Sequence, residues 1–284
     1  MNAPTVRLVE VDCPLCGSNR TSHQFWATEY AQPEPRERFG IRRCNNCGCG
    51  FLSPRPHPAD IGQYYNYAFY WTHEGGSPLS PDKLLKVRQR QLENKTKWLS
   101  DLSPGRLLDV GAQKGEFVHW MRLQGWDAIG QDFQALPGNP FDVPMHYGDV
   151  ATIDWGEDRF DVITLWAVLE HVAEPNSFIQ HLSSLLKPGG RLVVLVTNFN
   201  SIQARLFKQD DFPRHLTLFT RKSLSALLAR HGFQLRRTST DQAVFGGSLN
   251  GGLVYLLKRC CGYDEHSAMH EWRYSSDPLS FVAK

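Results

Sequence analysis

The sequence lacks any apolar run of about 18 or more residues, so no membrane-spanning helix is expected. Its opening segment, MNAPTVRLVEVD, has no apolar signal-peptide core, and we therefore expect a cytoplasmic protein. An excess of one charge is also missing, because 31 Lys and Arg stand against 29 Asp and Glu. That balance does not point to nucleic acid or to an anionic membrane as the main partner.

The composition that remains is that of an ordinary globular protein. The 284 residues are 41% hydrophobic and 21% charged, which suits one large core with a small appended module. The seven cysteines are the unusual feature. Because a reducing compartment disfavours structural disulfides, these cysteines need another explanation.

Four of the cysteines form two CxxC pairs, each followed by glycine. One tight turn offers two thiolates at this spacing, and two such turns complete the tetrahedral sulfur shell of a structural zinc site. A redox CxxC is the alternative interpretation. Residues 1–56 are predicted to form a zinc ribbon that folds largely through its metal. The predicted ligands are Cys13, Cys16, Cys44 and Cys47.

Cys49 is a surplus thiol beside the second pair. We interpret it as a small apolar filler, with competition for the metal as the alternative.

Residues 57–104 form an aromatic-rich connector followed by a helix. Ala59–Tyr65 is predicted to be a short helix and Asp82–Leu102 a longer one, ended by Pro104-Gly105. Tyrosine, phenylalanine and tryptophan cluster between residues 64 and 71. They favour packing between two modules, with a wall or lid over a ligand pocket as the alternative.

From residue 105 onward, strand-like and helical runs alternate, which predicts an α/β fold with a mostly parallel sheet. Ligands of such sheets bind beyond the carboxyl ends of the strands. The predicted strands are 106–110, 128–131, 143–147, 160–166, 191–197, 233–238 and 279–283, and the predicted helices are 116–124, 175–186 and 223–231.

The first of these strands leads into a glycine-containing loop, Asp109-Val-Gly111-Ala-Gln113-Lys-Gly115. The two glycines let the backbone approach a ligand closely. Gln113 stands where a dinucleotide fingerprint would have a second glycine. The carboxylate of Asp109 would repel pyrophosphate, so this loop suits a cationic ligand.

Carboxylates also end the next two strands. Asp132, followed by Phe133, can accept hydrogen bonds from both hydroxyls of a ribose, and Asp149 can accept one from an adenine amine. Taken with residues 160–172 and the turn Pro188-Gly189-Gly190, these segments resemble the Rossmann-like, class I methyltransferases that depend on S-adenosylmethionine (SAM). The resemblance covers about residues 82–240 and the last strand.

What the resemblance implies is a seven-stranded sheet with an antiparallel last strand and SAM bound over the first strand ends. The methyltransferase domain would span residues 105–284. The residues implied for SAM are Asp109, Gly111, Gln113, Gly115, Asp132, Phe133, Asp149, Val150, Leu165 and Trp166.

The whole chain is also similar to a narrower bacterial group that combines a CxxC ribbon with two further phrases. These are Gly50-Phe-Leu-Ser-Pro-Arg-Pro and Pro213-Arg-His-Leu-Thr-Leu-Phe-Thr. Such proteins resemble enzymes that methylate glycans, nucleotide-linked sugars or natural products. The similarity implies a small-molecule acceptor, with O-methylation as the default reaction.

A hydroxyl acceptor must lose a proton, and histidine is the usual base near neutral pH. His215 and His171 follow strand ends on the predicted binding edge, and Glu170 could orient the acceptor or a histidine. The alternative for either histidine is a structural hydrogen bond, and for Glu170 a helix cap.

Residues 241–277 form an insertion that contains Gly246-Gly247, Gly251-Gly252 and an apolar run. It is interpreted as a hinged lid, as a helix making weak membrane-surface contact through 246–262, or as a helix packed on the sheet.

Two rival functions stay open. One is RNA methylation with the ribbon holding RNA, which a continuous basic face from Arg36, Arg38, Arg42 and Arg43 would favour. The other is a non-catalytic zinc scaffold.

Overall fold

The computed structural model describes residues 6–29, 37–65, 81–136, 139–201, 204, 211–239 and 278–283. The insertion at 241–277, with its predicted lid or membrane contact, lies outside these ranges, as does most of the predicted aromatic cluster. Within the described part, no helix is long and apolar enough to cross a membrane.

Five short strands build the N-terminal module. They are β1 (Leu8–Val9), β2 (Thr21–Ala27), β3 (Phe39–Cys44), β4 (Gly50–Leu52) and β5 (Arg55–Pro56). Strands β2, β3 and β4 pair in antiparallel order, and β1 pairs with β5. The two CxxC turns lie before β2 and after β3, so the first sheet pairing brings them together.

The connector contains a short 3-10 helix, Ile61–Tyr64, where a helix was predicted at 59–65. Helix α1 (Pro81–Thr96) is shorter than predicted and does not continue to residue 102. The chain leaves the helical path because Trp98 and Leu99 turn inward and are almost completely buried. Burying two large apolar side chains outweighs one more turn of helix.

The main sheet has five parallel strands at its centre, which confirms the α/β prediction. They are β6 (Arg106–Val110), β7 (Asp127–Asp132), β8 (Met145–Tyr147), β9 (Phe160–Trp166) and β10 (Leu186–Thr197). Their order across the sheet is β8-β7-β6-β9-β10, with β6 between β7 and β9. Strand β10 begins five residues before its predicted start at 191, because Leu186 already pairs with Phe160 ahead of a register shift.

Helices cover both faces of this sheet. They are α1, α2 (Glu116–Leu123), α3 (Pro175–Leu185) and α4 (Arg221–Arg230). Side chains from α2, such as Phe117 and Met121, join one core, and α3 and α4 contribute to the other. Past β10, strand β13 (Pro278–Ala283) pairs antiparallel with it and with β12 (Leu235–Ser239).

The N-terminal module shares its core with the main sheet. Phe51 and Leu15 belong to the same buried cluster as Ile163 and Val194 of the central strands. A two-residue strand from the far half of the chain, β11 (Thr217–Leu218), pairs antiparallel with β4 and completes a four-stranded sheet. The segment just after His215 is therefore a strand of the N-terminal module's sheet.

Candidate active site

The glycine loop after β6 is tightly wound. Gly111, Gln113 and Gly115 all adopt left-handed backbone angles, with φ of 73°, 52° and 80°. A Cβ on Gly111 would overlap the side chain of Val168, so only glycine fits there. Gln113 thus takes up the conformation that a glycine at the second fingerprint position would favour.

Asp109 is the penultimate residue of β6, just before this loop, and is only 2% exposed. The hydroxyl of Thr164 donates a hydrogen bond of 2.6 Å to its carboxylate. Burial raises the pKa of Asp109 to about 6, although Lys95 and Thr164 work in the opposite direction. Because burial disfavours the ionised carboxylate, a cationic ligand bound beside it would stabilise that ionised form.

Lys95, near the end of α1, is a site residue that sequence reasoning missed. Its Nζ lies 5.4 Å from the ring centre of Phe117 and 5.2 Å from that of Trp166. Burial lowers the pKa of Lys95, and the charges of Asp109 and Glu116 oppose that shift. A lysine in the last turn of a helix is ordinarily a solvated partner of the helix dipole, so the sequence carried no signal for this position.

Asp132, the last residue of β7, is hydrogen-bonded to the glycine loop. Its carboxylate accepts hydrogen bonds from the backbone N–H groups of Gln113 and Phe133, both at 2.8 Å. Burial raises the pKa of Asp132, and these backbone donors oppose the rise. The ring of Phe133 is 75% exposed, which leaves a flat apolar surface beside the carboxylate.

The remaining predicted cofactor residues do not all pack on the same face of the sheet. Asp149 accepts a hydrogen bond from the N–H of Ala151 at 2.9 Å, and Val150 is buried. Trp166 packs on the α1–α2 face with Phe117, and its indole Nε1 has no hydrogen-bond partner among the described residues. The side chain of Leu165 is fully buried in the core of the opposite face, so only its backbone can approach a ligand held with Trp166.

The two predicted histidines meet beyond the end of β9. His171 ends a short 3-10 helix, Leu169–His171, and its ring lies 4.5 Å from that of His215, nearly perpendicular to it. Burial lowers the pKa of His171 to about 3, and His215 adds to the effect. The side chain therefore stays neutral. Tyr65 belongs to the predicted aromatic cluster, and its hydroxyl lies 3.0 Å from Nδ1 of His171, a contact that the sequence did not predict.

Glu170 is completely buried, and its carbonyl accepts a hydrogen bond of 2.8 Å from the N–H of Leu216. This backbone contact fixes the turn that carries His171 against the loop that carries His215. Leu216 in turn accepts a hydrogen bond from Leu52 of β4 at 3.1 Å.

The role of Arg214 is a further feature that sequence reasoning missed. It is 1% exposed, and its guanidinium binds Glu29 at 2.7 Å, Asp211 at 2.6 Å and the carbonyl of Tyr64 at 2.9 Å. Burial acts to raise the pKa of Asp211, but Arg214 outweighs it and lowers that pKa to about 2. Because arginine is seldom buried, no sequence pattern predicts that a buried arginine joins these three segments.

The four predicted metal ligands lie together. Their sulfur atoms are all within 4.8 Å of one another, with 3.6 Å between Cys13 and Cys47 and between Cys16 and Cys44. Tetrahedral zinc, with bonds of about 2.3 Å, separates its sulfurs by about 3.8 Å. The cluster is therefore compatible with zinc. Cys49 is fully buried, and its sulfur lies 3.4 Å from that of Cys13.

The described arginines of the N-terminal module, Arg38, Arg42 and Arg43, each contact a neighbouring side chain. Arg43 donates to Asn200 at 3.3 Å, and Arg42 donates to Thr21 at 2.8 Å. Arg38 lies over the exposed ring of Trp26, 5.7 Å from its centre. Arg36 lies outside the described residues.

A family model described as "Methyltransferase domain" matches residues 84–238, more than half of the chain. The chain belongs to this methyltransferase family. A ubiquinone biosynthesis O-methyltransferase of Rhodopseudomonas palustris strain HaA2 is 30% identical over 168 residues, which is 53% of this chain and 66% of that protein. The match thus spans slightly less than two thirds of that relative.

Two solved methyltransferases with bound S-adenosylhomocysteine share the fold. The 1,6-didemethyltoxoflavin N1-methyltransferase of Burkholderia thailandensis has a TM-score of 0.52 at 16% identity, covering 90% of this chain and 97% of that one. The magnesium protoporphyrin IX methyltransferase of Synechocystis PCC 6803 has a TM-score of 0.53 at 17% identity, covering 80% and 99%. At such identities the likeness establishes the fold alone.

Proposed function

We propose that this methyltransferase transfers the methyl group of SAM to a hydroxyl of a small molecule, a sugar or a natural product. The observation that carries the proposal is the contact between the glycine loop and the turn after β9. Gly111 packs directly on Val168, three residues before His171. A cofactor held on the loop would therefore have the two histidines as neighbours.

On the cofactor side, Asp109, Gly111, Gln113 and Gly115 would cradle the methionine part of SAM. The ionised carboxylate of Asp109 would attract its cationic groups, and Asp132 would accept hydrogen bonds from the ribose. The adenine would lie against Phe133, with Asp149 and Val150 at its edge. Trp166, with the backbone of Leu165, would border the cofactor, which supplies a methyl group on a cationic sulfur.

On the acceptor side, His215 and His171 are the proposed acid–base residues, and Glu170 would position them. Methyl transfer is an in-line displacement, so placing the acceptor oxygen accounts for much of the rate. Removing the acceptor's proton accounts for a further part, typically about 10²- to 10⁴-fold. Burial lowers the pKa of His171 to about 3 and so makes it a weak base, which leaves His215 as the first candidate for taking the proton.

We assign Cys13, Cys16, Cys44 and Cys47 to one structural zinc ion. Four thiolates close the coordination shell, which leaves no open position for substrate chemistry. The metal would hold the two CxxC turns together and so stabilise the sheet that includes β11.

The deciding experiment is calorimetric titration with SAM and S-adenosylhomocysteine. We expect micromolar binding that falls about 10- to 100-fold in Asp132→Ala, because the carboxylate serves both the ribose and the loop. Asp158→Ala, which removes a carboxylate that is 93% exposed, is the matched control and should bind normally. Failure of the folded, zinc-loaded protein to bind either ligand would reject the proposal and favour the zinc scaffold.

Acceptors are then sought by following methyl transfer from labelled SAM to phenols, sugars and nucleotide-linked sugars. A transfer that is selective for RNA would instead support the rival RNA function.

A further inference from the structure

Cys49 is a fifth thiol beside the proposed metal site. Its side chain is completely buried, and its sulfur lies 3.4 Å from that of Cys13 and 3.6 Å from that of Cys47. It is not one of the four cysteines whose sulfurs all lie within 4.8 Å of one another. Cys49 therefore contacts one edge of the four-sulfur cluster, the edge formed by Cys13 and Cys47.

The opposite edge, formed by Cys16 and Cys44, is contacted by N–H groups instead. The side-chain amide of Asn46 lies 3.7 Å from Sγ of Cys16, and its backbone N–H lies 3.4 Å from Sγ of Cys44. The sulfurs are 3.6 Å apart on both edges, so the difference lies in the neighbouring groups. An N–H donor stabilises a thiolate but cannot bind a cation, whereas a thiol can become a ligand.

The backbone keeps Cys49 next to the second CxxC turn. The N–H of Cys44 donates to the carbonyl of Cys49 at 2.9 Å, and the N–H of Gly48 donates to the carbonyl of Cys44 at 3.0 Å. Strand β4 begins at the next residue, Gly50. A metal bound through Cys49 would therefore hold the same turn and the same strand as one bound through Cys47.

We propose that Cys49 is a reserve zinc ligand, which takes the place of Cys47 in the coordination shell when that sulfur is lost. The proposal rests on the proposed zinc ion and adds a fifth residue to its site. Cys47 is partly exposed and Cys49 is completely buried, so reagents that alkylate or oxidise thiols reach Cys47 first. The reserve thiol is thus the one that such reagents spare.

The exchange balances in bonds and charge. When Cys47 is alkylated by iodoacetamide, its sulfur forms a bond to carbon, iodide leaves, and the bond between sulfur and zinc breaks. Cys49 then binds the zinc as a thiolate, which is the binding form of cysteine, and releases its proton to solvent. The shell keeps four thiolates and the same net charge.

The first test compares zinc affinity in Cys47→Ala and Cys16→Ala by competition with the chelator 4-(2-pyridylazo)resorcinol. The two positions are matched, because each is the second cysteine of its CxxC pair and each is partly buried. We expect affinity to fall less than about tenfold in Cys47→Ala and at least about 100-fold in Cys16→Ala, whose shell is left with three thiolates. Equal losses in the two variants would overturn the proposal.

The second test counts thiolates by cobalt substitution. In Co²⁺-loaded protein, the sulfur-to-cobalt charge-transfer absorption grows with the number of bound thiolates. We expect a four-thiolate spectrum in the wild type, in Cys49→Ala and in Cys47→Ala, and a weaker one in Cys47→Ala/Cys49→Ala. A three-thiolate spectrum in Cys47→Ala would make Cys49 a mere filler. A weaker spectrum in Cys49→Ala would make it a primary ligand, and either result rejects the reserve role.

The third test uses the wild type and does not depend on the folding of a variant. Zinc-loaded protein is treated with limiting iodoacetamide, and native mass spectrometry with fragmentation locates the adduct in singly modified molecules. We expect molecules modified at Cys47 to keep one zinc and those modified at Cys16 to have lost it. Loss of zinc from molecules modified at Cys47 would overturn the proposal. Cys49→Ala is the control, in which modification at Cys47 should release the metal.

The zinc assignment and the reserve role fail in different ways. Wild-type protein that binds no zinc or cobalt rejects the metal site itself. Wild-type protein that binds one zinc, but loses it equally after a change at Cys47 or at Cys16, rejects only the reserve role.

Discussion

The two sides of the proposed active site are built in different ways. The cofactor side comes from neighbouring loops of the main sheet: Asp132 reaches Gln113 across 19 positions, and Gly111 bonds to the carbonyl of Gln131. The acceptor side is assembled from distant segments, since Arg214 reaches Glu29 across 185 positions. The hydrogen bonds of the first stay within one sheet, whereas those of the second also reach the N-terminal module.

Several contacts join that module to the rest of the protein. Strand β4 pairs with β11, two residues after His215. On the far side of the ribbon, Arg230 donates to the carbonyl of Leu15 at 2.6 Å, and Asn176 donates to that of Pro14 at 2.9 Å. The position of the acceptor loop therefore depends on the N-terminal module through the pairing of β4 with β11.

Removal of the metal should give the largest effect. In Cys16→Ser/Cys47→Ser, we expect hydrogen exchange to accelerate at least about 100-fold in β4 and β11, because a structural zinc contributes about 10 kcal/mol or more to small domains. Strand β6 should change far less. Hydrogen exchange followed by mass spectrometry measures both, and chelated wild type given zinc again is the control. Equal acceleration in β6 would remove the distinction between the two sides.

Breaking the buried ion cluster should come next. Arg214→Met leaves the buried Glu29 and the partly buried Asp211 without their cation, which should cost about 3 kcal/mol in the free energy of unfolding. Urea unfolding measures the loss, and calorimetry should show SAM affinity unchanged. Adding Glu29→Gln and Asp211→Asn should restore part of the stability. A large loss of SAM affinity in stable protein would show that the two sides are not separable.

The cofactor side should respond to pH through Asp109. Its pKa in the ligand-free protein is raised to about 6, so the carboxylate is neutral below that pH and ionised above it. Affinity for cationic SAM should therefore rise with pH and level off above about 7, being about tenfold weaker at pH 5. Calorimetry across this range tests it. Asp109→Asn should bind weakly and independently of pH, and an unchanged pH dependence would exclude Asp109 as its source.

The smallest effect is expected at Lys95. Its charge opposes the upward shift in the pKa of Asp109, so Lys95→Met should move the midpoint of that affinity profile to higher pH. Near pH 6 the change should be less than about tenfold. The matched control is Lys97→Met, because Lys97 is exposed and bonds to Asn94. A midpoint shifted equally in both variants would exclude a specific Lys95–Asp109 interaction.

Much of the cofactor side could be predicted because its residues lie at or near the ends of successive parallel strands. A parallel sheet brings strand ends to one edge, so Asp109 and Asp132 could be placed together from strand periodicity alone. Strands β6 and β9 have their predicted limits for the same reason. The prediction was weaker where packing overrides local preference, as when burial of Trp98 and Leu99 ends α1 early.

The acceptor side shows why the remainder could not be predicted. His171 and His215 were candidates by residue type, whereas Tyr65 and Arg214 lay in patterns that did not indicate their partners. Their partners are 106 and 185 positions away, and only closure of the ribbon onto the sheet brings them into contact. Residue type and spacing thus determined the α/β fold and the clustering of four cysteines. The tertiary structure alone decided the buried ion cluster and the joining of ribbon to acceptor loop, because those contacts depend on distances between segments that no sequence pattern encodes.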